Sequence, residues 1–261
     1  MEEYKEYALD LAKRVGSLLL EGFRSSAPID DRSVDLRQLV TKYDLESEKI
    51  IISGIKRKYP RHNILSEEAG LINKGSSYTW IIDPLDGTGN FTRKNPFFSI
   101  SIALSYQKEI VLGVVYAPFL DEIYIAERGK GAFLNGAPIS VSTSGKLANS
   151  SIVSCEGSDR SVMRGVKLYH GIRPLVMDMR KLGSAAIESA WVASGRAEAY
   201  IATKINPWDV AAGVILVEEA DGKVTDFKGK RWNLKKSDLI LSNGLIHEQL
   251  LKKVKNSLQI A

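Results

Sequence analysis

The sequence predicts a mixed fold of the α+β and α/β classes, and three observations support this. Two long stretches, residues 3–23 and 44–59, place apolar side chains at helical spacing. Between residues 80 and 134, short β-rich runs are separated by Gly, Pro and Asn, which is typical of an antiparallel sheet. After residue 151, strand and helix patterns alternate without a visible internal repeat, which is typical of an α/β unit.

The first two helices should each bury one apolar stripe. Pro28 and the charged residues 30–37 interrupt the first pattern, and Pro60 ends the second. Asp44 stands at the start of the second helix, where a carboxylate can cap free backbone N–H groups. The stripe of the first helix consists of Tyr4, Ala8, Leu11, Val15, Leu18 and Gly22, and that of the second consists of Leu45, Ile52, Ile55 and Tyr59.

The middle of the chain should form the antiparallel sheet. Its predicted strands cover residues 80–83, 97–106, 110–116, 122–126 and 132–134. A stretch rich in Ser and small residues, 140–151, follows them and is the best candidate for a boundary. We therefore expect an N-terminal α+β subdomain, residues 1–141, and a C-terminal α/β subdomain, residues 142–261.

The C-terminal half should alternate strands with helices. Ser184 and Asn206 are expected to cap two of these helices, and Pro207 suits a first helical position. Gly195 marks the end of the helix that Ser184 begins. The predicted strands cover residues 152–154, 175–179, 198–201 and 239–242, and the predicted helices cover residues 159–171, 184–194, 207–220 and 245–254.

Composition excludes several classes of protein. With 44% hydrophobic and 26% charged residues, the 261-residue chain is an ordinary globular protein and not a disordered or fibrous one. Cys155 is the single cysteine, which excludes a disulfide framework and a Cys-based metal site and fits a reducing compartment. His62, His170 and His247 lie outside the acidic motifs described below, so they are expected on the surface or in packing roles, and a Ser-His-Asp or Cys-His hydrolase finds no support.

Location and partners follow from the same survey. No apolar run approaches the ~18 residues of a spanning helix, and the start, Met-Glu-Glu-Tyr-Lys-Glu, lacks the order of a signal peptide. We therefore expect a cytoplasmic protein without a membrane partner. Lys and Arg exceed Asp and Glu by 36 − 31 = 5, but this charge is spread along the chain, so nucleic acid is not expected as the main partner.

Chemistry concentrates in one segment, Trp80-Ile-Ile-Asp83-Pro84-Leu85-Asp86-Gly87-Thr88-Gly89-Asn90-Phe91. A continuous strand would point Asp83 and Asp86 to opposite faces, whereas a turn between them would aim both carboxylates at one point. Two adjacent carboxylates repel each other unless a cation neutralises them, and Mg²⁺ prefers such oxygen ligands. The backbone carbonyl of Leu85 is placed where it could supply another ligand.

The glycines after Asp86 favour a phosphate ligand. Residues 87–90 offer consecutive backbone N–H groups without bulky side chains, and the hydroxyl of Thr88 adds a donor. The segment is not a Walker A loop, because the Gly-Lys-Ser/Thr ending is missing. A carboxylate cluster beside such a nest indicates phosphoryl chemistry, although a strand end followed by an Asx-rich turn would leave the same pattern.

Four further acids are candidates for the same site. Glu67 and Glu68 are adjacent, so they point in different directions and could serve a metal and its surroundings separately, or both could simply be solvated. Asp209 falls in the first turn of its helix, where the helix dipole favours an anion in any case. Asp44 is explained equally well as a helix cap. Singly, none of these acids decides a function.

Their order along the chain is more specific. Asp44, the Glu67-Glu68 pair, residues 83–91 and Trp208-Asp209-Val-Ala-Ala-Gly213 follow the spacing of the inositol monophosphatase family, which the chain resembles over essentially its whole length. The resemblance implies a layered α-β-α-β-α sandwich that hydrolyses a small phosphorylated metabolite with about two or three Mg²⁺ ions per active site. It also implies inhibition by Li⁺ and a homodimer.

The resemblance assigns the metal ligands, most of them to the N-terminal subdomain. Glu67, Asp83 and the carbonyl of Leu85 would hold the first metal ion. Asp83, Asp86 and Asp209 would hold the second, with Asp209 contributed by the C-terminal subdomain.

The resemblance also assigns the catalytic and substrate-binding residues. Glu68 would orient a water held by a metal ion, while Asp44 and Thr88 would polarise the attacking water. Substrate contacts are expected at Gly87, Thr88, Arg180, Gly183, Ser184 and Lys204.

The substrate is less clearly indicated. Inositol-selective relatives carry an acidic residue before the Trp-Asp motif, where this chain has Ile201-Ala-Thr-Lys204-Ile-Asn206. Lys204, Arg180 and the pair Arg93-Lys94 are either solvated charges or cations that meet a second phosphate. The chain is thus similar to the thermophilic or archaeal type that accepts both inositol phosphates and fructose 1,6-bisphosphate. A phosphatase of 3′-phosphoadenosine-5′-phosphate and an RNA- or transcription-associated binding protein are the alternatives within the family.

Overall fold

The computed structural model describes residues 1–25, 40–156 and 162–260, and all statements below concern those ranges. Within them the helices are α1 Glu2–Arg24, α2 Lys42–Lys58, α3 Thr88–Thr92, α4 Val162–Ile172, α5 Ala185–Ala193, α6 Pro207–Glu219 and α7 His247–Leu258. The strands are β1 Asn63–Ser66, β2 Gly70–Ile72, β3 Tyr78–Asp86, β4 Ser99–Tyr106, β5 Glu109–Ala117, β6 Glu122–Glu127, β7 Ala132–Leu134, β8 Ala137–Ile139, β9 Ser151–Glu156, β10 Asp178–Arg180, β11 Ala199–Thr203, β12 Lys223–Thr225 and β13 Leu239–Ser242.

The strands form two sheets. The first has the order β2-β1-β3-β4-β5-β6-β7-β8 and is antiparallel except where β1 pairs with β3. The second has the order β10-β9-β11-β13-β12, with β9 parallel to both of its neighbours. The antiparallel sheet predicted for residues 80–134 is therefore confirmed, and the sequence patterns missed the short strands β1, β2, β8 and β12.

Three hydrophobic clusters stack the helices and sheets in layers. One cluster packs α1 and α2 on the outer face of the first sheet, and another packs α4 and α7 on the outer face of the second. Between the sheets, α5 and α6 form a central cluster together with residues of both sheets. The predicted layered α-β-α-β-α sandwich is thus confirmed. No helix in the described ranges is both long enough and apolar enough to cross a bilayer.

The middle of α6, in the central layer, is buried on all sides. In α6, all eight residues from 210 to 217 are buried, so the helix has no polar face there. Gly113 of β5 permits its close approach, since a Cβ at this position would lie 2.8 Å from the carbonyl oxygen of Ala212. This packing fixes the start of α6, and hence Asp209, relative to the first sheet.

Helix positions were predicted better than helix faces. In α1 the buried residue of the fifth turn is Leu19, which is 0% exposed, and Leu18 is only half-buried. In α2 the prediction for Leu45 was wrong, because this side chain is 40% exposed and the buried face begins with Asp44. The cap of α2 is Thr41, while Asp44 is the third helical residue and completes a capping box with it.

In the C-terminal half the boundaries shift by a few residues. The predicted strand 175–179 is observed as a 3₁₀ turn, Arg173–Leu175, followed by β10. Asp159, the predicted start of the fourth helix, lies outside the described residues, as do Pro28 and residues 30–37. The division into residues 1–141 and 142–261 stays a prediction.

His247, the first residue of α7, makes stability depend on acidity. It is 0% exposed, and its two ring nitrogens lie 2.9 Å from the Thr225 hydroxyl and 2.7 Å from the Ser242 hydroxyl. Burial, and then the charge of Lys223, lower its pKa from 6.5 to about 4. As the pH falls, His247 is therefore protonated at a higher pH in the unfolded chain than in the folded protein.

Above pH 6.5, His247 should not reduce the free energy of unfolding. As the pH drops from 6.5 to about 4, His247 should lower this free energy by about 3 kcal/mol. Urea unfolding of His247→Gln should show a shallower loss across this window than the wild type. His170→Gln is the control, since His170 is exposed. An equally steep loss in His247→Gln would show that other groups cause it.

Candidate active site

A β-bulge at the end of β3 turns two aspartates to the same face of the first sheet. Asp83 pairs with Ser101 of β4 and Asp86 pairs with Ser99, so three steps along β3 match two along β4. Residues three apart on a regular strand face opposite sides, and the extra residue of the bulge cancels this difference. The side chains of Asp83 and Asp86 therefore share a face because of a bulge within β3, and not because of the predicted turn.

Asp86 joins the first sheet to the central layer. Its carboxylate accepts hydrogen bonds from the Ser99 hydroxyl at 3.1 Å and from the Ser184 hydroxyl. The backbone N–H groups of Ala185 and Ala186, in the first turn of α5, donate to it at 3.1 and 2.9 Å. The helix dipole and these four donors stabilise a negative charge at this position.

Glu67 and Glu68 lie in the turn between β1 and β2, and a third glutamate holds that turn. One carboxyl oxygen of Glu48, in α2, accepts hydrogen bonds from the Ser66 hydroxyl, from the N–H of Glu68 at 3.1 Å and from the N–H of Ala69 at 3.0 Å. Sequence reasoning missed Glu48. Its signal was a polar residue four positions after Asp44, on what is a buried helix face.

Asp44 and Thr88 are brought together from α2 and the start of α3. Oδ2 of Asp44 accepts hydrogen bonds from the N–H and hydroxyl of Thr41 at 2.8 and 2.6 Å. Oγ1 of Thr88 lies 2.8 Å from Oδ1 of Asp44 and 3.0 Å from the carbonyl oxygen of Leu85. Since the hydroxyl has one hydrogen, it donates to only one of these two acceptors at a time.

Asp209 approaches from the opposite side. It is the third residue of α6, and its Oδ2 accepts a hydrogen bond from the N–H of Asn206 at 2.8 Å. The predicted cap Asn206 and first helical residue Pro207 are confirmed. The Ser101 hydroxyl donates to the carbonyl oxygen of Trp208 at 3.3 Å, which ties the start of α6 to the strand opposite Asp83.

The acids influence one another strongly. Glu67 is exposed as a whole, but burial of its carboxyl group, and then the charges of Asp209, Glu68, Asp44 and Asp86, together raise its pKa to about 8. The pKa of Asp83 is raised well above its ordinary value by burial and then by Glu67 and the same three aspartates. Carboxylates from four separate segments therefore converge.

The chemistry of this donor set fits a divalent cation. None of the six acids forms an ion pair with Lys or Arg in the described part of the chain: Asp44, Glu67, Glu68, Asp83, Asp86 and Asp209. As the side chains stand, no three His, Cys, Asp or Glu residues of the described ranges form a group already arranged around one ion. Carboxylates that repel each other, with no Lys or Arg paired to them in the described ranges, nonetheless match the oxygen ligands of Mg²⁺.

The turn after Asp86 has the geometry expected for a phosphate-binding loop. Gly87 has φ +88°, and a Cβ there would lie 2.7 Å from the carbonyl oxygen of Phe97, so only glycine fits. The N–H groups of Asn90 and Phe91 donate to the carbonyl of Gly87 at 2.9 and 3.0 Å. The earlier amides, at Gly87 and Thr88, precede the first intrahelical bond of α3.

The predicted substrate contacts divide into two groups. Gly183 and Ser184 lie against the site, because a Cβ on Gly87 would be 3.2 Å from the carbonyl oxygen of Gly183 and Ser184 bonds to Asp86. Arg180 and Lys204 are exposed, and Arg180 pairs with Asp178 of its own strand.

Lys94 has a different environment from the one that its sequence suggested. Its ammonium group donates to the carbonyl oxygens of Gly22, Phe23 and Ser25, at 3.1, 2.7 and 3.0 Å. These carbonyls belong to the last turn of α1 and to its C-cap residue, where a cation is stabilising. Lys94 therefore caps α1, and its ammonium group is hydrogen-bonded within the protein and not directed at a substrate phosphate.

Comparison with known proteins agrees with this arrangement. The model of the inositol monophosphatase family matches residues 1–259. A Thermotoga maritima protein named fructose-1,6-bisphosphatase/inositol-1-monophosphatase is 40% identical over 250 residues, which cover 95% of this chain and 94% of that one. A Dictyostelium discoideum inositol monophosphatase is 38% identical over 262 residues, with 97% and 95% covered.

Solved structures agree as well. The structure of an IMPase from Thermotoga maritima superposes with a TM-score of 0.90 at 38% identity, and the match covers 99% of both chains. Sequence motifs, fold and whole-length similarity therefore lead to one conclusion: this chain belongs to the inositol monophosphatase family.

Proposed function

We propose that this phosphatase hydrolyses small phosphate monoesters, inositol 1-phosphate and fructose 1,6-bisphosphate among them, with Mg²⁺ as its cofactor. One observation carries the proposal: acids from four segments converge, without a described cationic partner, beside the glycine turn at residue 87. A phosphate ester needs positive charge on its oxygens, and the protein side chains at this point supply only negative charge. Divalent cations resolve both requirements at once.

Metal ligation is assigned from the resemblance to the family, and the mutual electrostatic influence of these carboxylates supports it. Glu67, Asp83 and the carbonyl of Leu85 would hold one ion, and Asp83, Asp86 and Asp209 another. When bound, such ions lower the pKa of water and stabilise the charge on the attacking and leaving oxygens. Glu48 contributes by fixing the turn that carries Glu67 and Glu68.

Proton handling is assigned to Asp44, Thr88 and Glu68. When the hydroxyl of Thr88 donates to Oδ1 of Asp44, the lone pairs of Oγ1 are free to accept a hydrogen bond from the attacking water. If Oγ1 takes up a proton of that water, its own proton passes to Asp44. Thr41 holds the other oxygen of Asp44, so this acceptor is fixed in place. Glu68 lies at the exposed edge of the cluster, where its carboxylate can accept a second hydrogen bond from the same water.

Phosphate binding is assigned to the amides of Gly87 and Thr88, with Gly183 and Ser184 closing the other side. Arg180 and Lys204 are exposed cations that we assign to the second phosphate of a bisphosphate substrate. Inhibition by Li⁺ and assembly as a homodimer are further parts of the proposal, which rest on the family. A cytoplasmic location stays a prediction from the sequence.

A substrate panel tests the function. Phosphate release should be measured from inositol 1-phosphate, fructose 1,6-bisphosphate and adenosine 3′,5′-bisphosphate, with Mg²⁺ and with a chelator. We expect turnover of the first two with Mg²⁺ and none with the chelator. Preferred hydrolysis of the adenosine compound would indicate the nucleotide-phosphatase alternative, and no hydrolysis with any divalent ion would indicate a binding protein.

A further inference from the structure

A buried glutamate lies directly behind the site and has no role in the assignments above. Glu188 of α5 is 0% exposed, and its Oε1 accepts hydrogen bonds from the N–H groups of Leu182 at 2.6 Å and Gly183 at 3.3 Å. Its Oε2 has no hydrogen-bond partner within the described residues. Burying a carboxyl group with one unpaired oxygen is unfavourable. The two hydrogen bonds to the backbone are therefore the contacts that can explain why a glutamate occupies this position.

The loop that Glu188 holds touches both halves of the site. The carbonyl oxygen of Leu182 accepts a hydrogen bond at 2.8 Å from the side-chain amide of Asn90, in the phosphate turn. Two residues later, the Ser184 hydroxyl donates to Asp86. The loop therefore contacts the phosphate turn at one end and a metal-ligand candidate at the other.

We propose that Glu188 is a positioning residue, whose Oε1 fixes residues 182–184 and through them sets Ser184 against Asp86 and Asn90 beside the phosphate turn. This inference rests on the phosphatase function proposed above. Hydrogen-bond acceptance, and not charge, is the property required. Burial raises the pKa of Glu188 to about 8, so at pH 7 the group is mostly uncharged, as a glutamine would be.

The chain offers a matched control in Glu219, at the end of α6. Its Oε2 accepts hydrogen bonds from the N–H groups of Gly129, Lys130 and Gly131, at 2.9, 3.2 and 3.0 Å, in the turn between β6 and β7. Glu219→Met therefore removes the same kind of contact from a loop that has no part in the proposed site.

The experiment compares Glu188→Met, Glu188→Gln and Glu219→Met. A displaced loop should lower kcat/KM of Glu188→Met roughly 10²-fold, with KM raised. Glu188→Gln and Glu219→Met should each keep kcat/KM close to the wild-type value. Hydrogen exchange of the amides of Leu182, Gly183 and Asn90 should be at least about tenfold faster in Glu188→Met alone.

Three outcomes would overturn the proposal: wild-type kinetics and exchange in Glu188→Met, an equal kinetic loss in Glu188→Gln, or an equal loss in Glu219→Met. If the wild type hydrolyses no ester, the proposed function fails, and the exchange pattern alone decides whether Glu188 holds the loop. Should Glu188→Met not fold, Glu188→Asp replaces it, because the shorter side chain withdraws the acceptor while keeping the carboxyl group.

Discussion

Asp86→Asn is expected to lower kcat by roughly 10³-fold or more, since several kcal/mol of transition-state stabilisation depend on the charge held at this carboxylate. Asp86 lies where β3, β4 and α5 meet, and each contributes a hydrogen bond or a pairing that fixes its side chain. An amide of the same shape keeps the position and loses the negative charge. Phosphate release from inositol 1-phosphate at saturating Mg²⁺ measures the effect.

The fold should survive this substitution. Asn places an N–H₂ group against the N–H of Ala185 or Ala186, a mismatch that costs about 1 to 3 kcal/mol. The substitution also removes a carboxyl group whose pKa is raised by burial. Because ionising a buried carboxyl group is unfavourable, its removal offsets part of this cost. We therefore expect a Tm in chelator close to that of the wild type. Asp10→Asn, at an exposed acid of α1, is the control for activity, and near-normal turnover of Asp86→Asn would refute the assigned role.

The position of Asp86 also illustrates what the sequence could and could not predict. The spacing of Asp83 and Asp86 indicated that the chain must depart from a regular strand between them. The form of that departure depends on how β3 pairs with β4, because a bulge is a property of two strands. Residues 80–91 alone do not contain this register, so a turn was the natural but wrong expectation.

Sequence reasoning missed residues that hold the candidate site in place, and not the acids that are proposed to react. The candidate acids stand in motifs, whereas Glu48 and Glu188 are single glutamates inside helices, where a glutamate is ordinarily solvated. Their burial follows from packing between layers. Lys94 was misjudged for the same reason, since its partners are the carbonyls of a helix end about 70 residues earlier in the chain.

Layer order shows the same division between local and global information. The sequence predicted helices over residues 184–194 and 207–220, and the structure shows that both helices are almost entirely buried. Which elements enclose them depends on contacts between distant parts of the chain, as in the approach of α6 to Gly113 of β5. The family resemblance supplied this arrangement, because composition and periodicity do not specify it.

Asp209→Asn is expected to stabilise the protein in chelator and to destabilise it, relative to the wild type, in Mg²⁺. Burial, and then the charge of Asp86, raise the pKa of Asp209 from 3.8 to about 7. The folded state therefore binds a proton that the unfolded state has already lost between these pH values. As the pH rises from 3.8 to 7, the wild type loses stability, up to about 4 kcal/mol from this group.

Asp209→Asn removes this pH-dependent loss of stability and keeps the local structure. The side-chain oxygen of Asn can still accept the hydrogen bond that the N–H of Asn206 donates to Asp209, so the start of α6 should remain intact. Urea unfolding at pH 8 in chelator should thus give a higher free energy for Asp209→Asn than for the wild type. A lower value would contradict the mutual repulsion of these carboxylates.

Added Mg²⁺ should reverse the order. A cation that binds only the folded state stabilises it by about 2.7 kcal/mol at one hundred times its Kd, and the wild type gains this with its full set of acids. Asp209→Asn has lost one of the proposed ligands and should gain less. Asp10→Asn should follow the wild type in both conditions, because that acid is exposed on α1. If Mg²⁺ instead stabilised Asp209→Asn and the wild type equally, the ion would bind elsewhere, and the converging acids would not be its site.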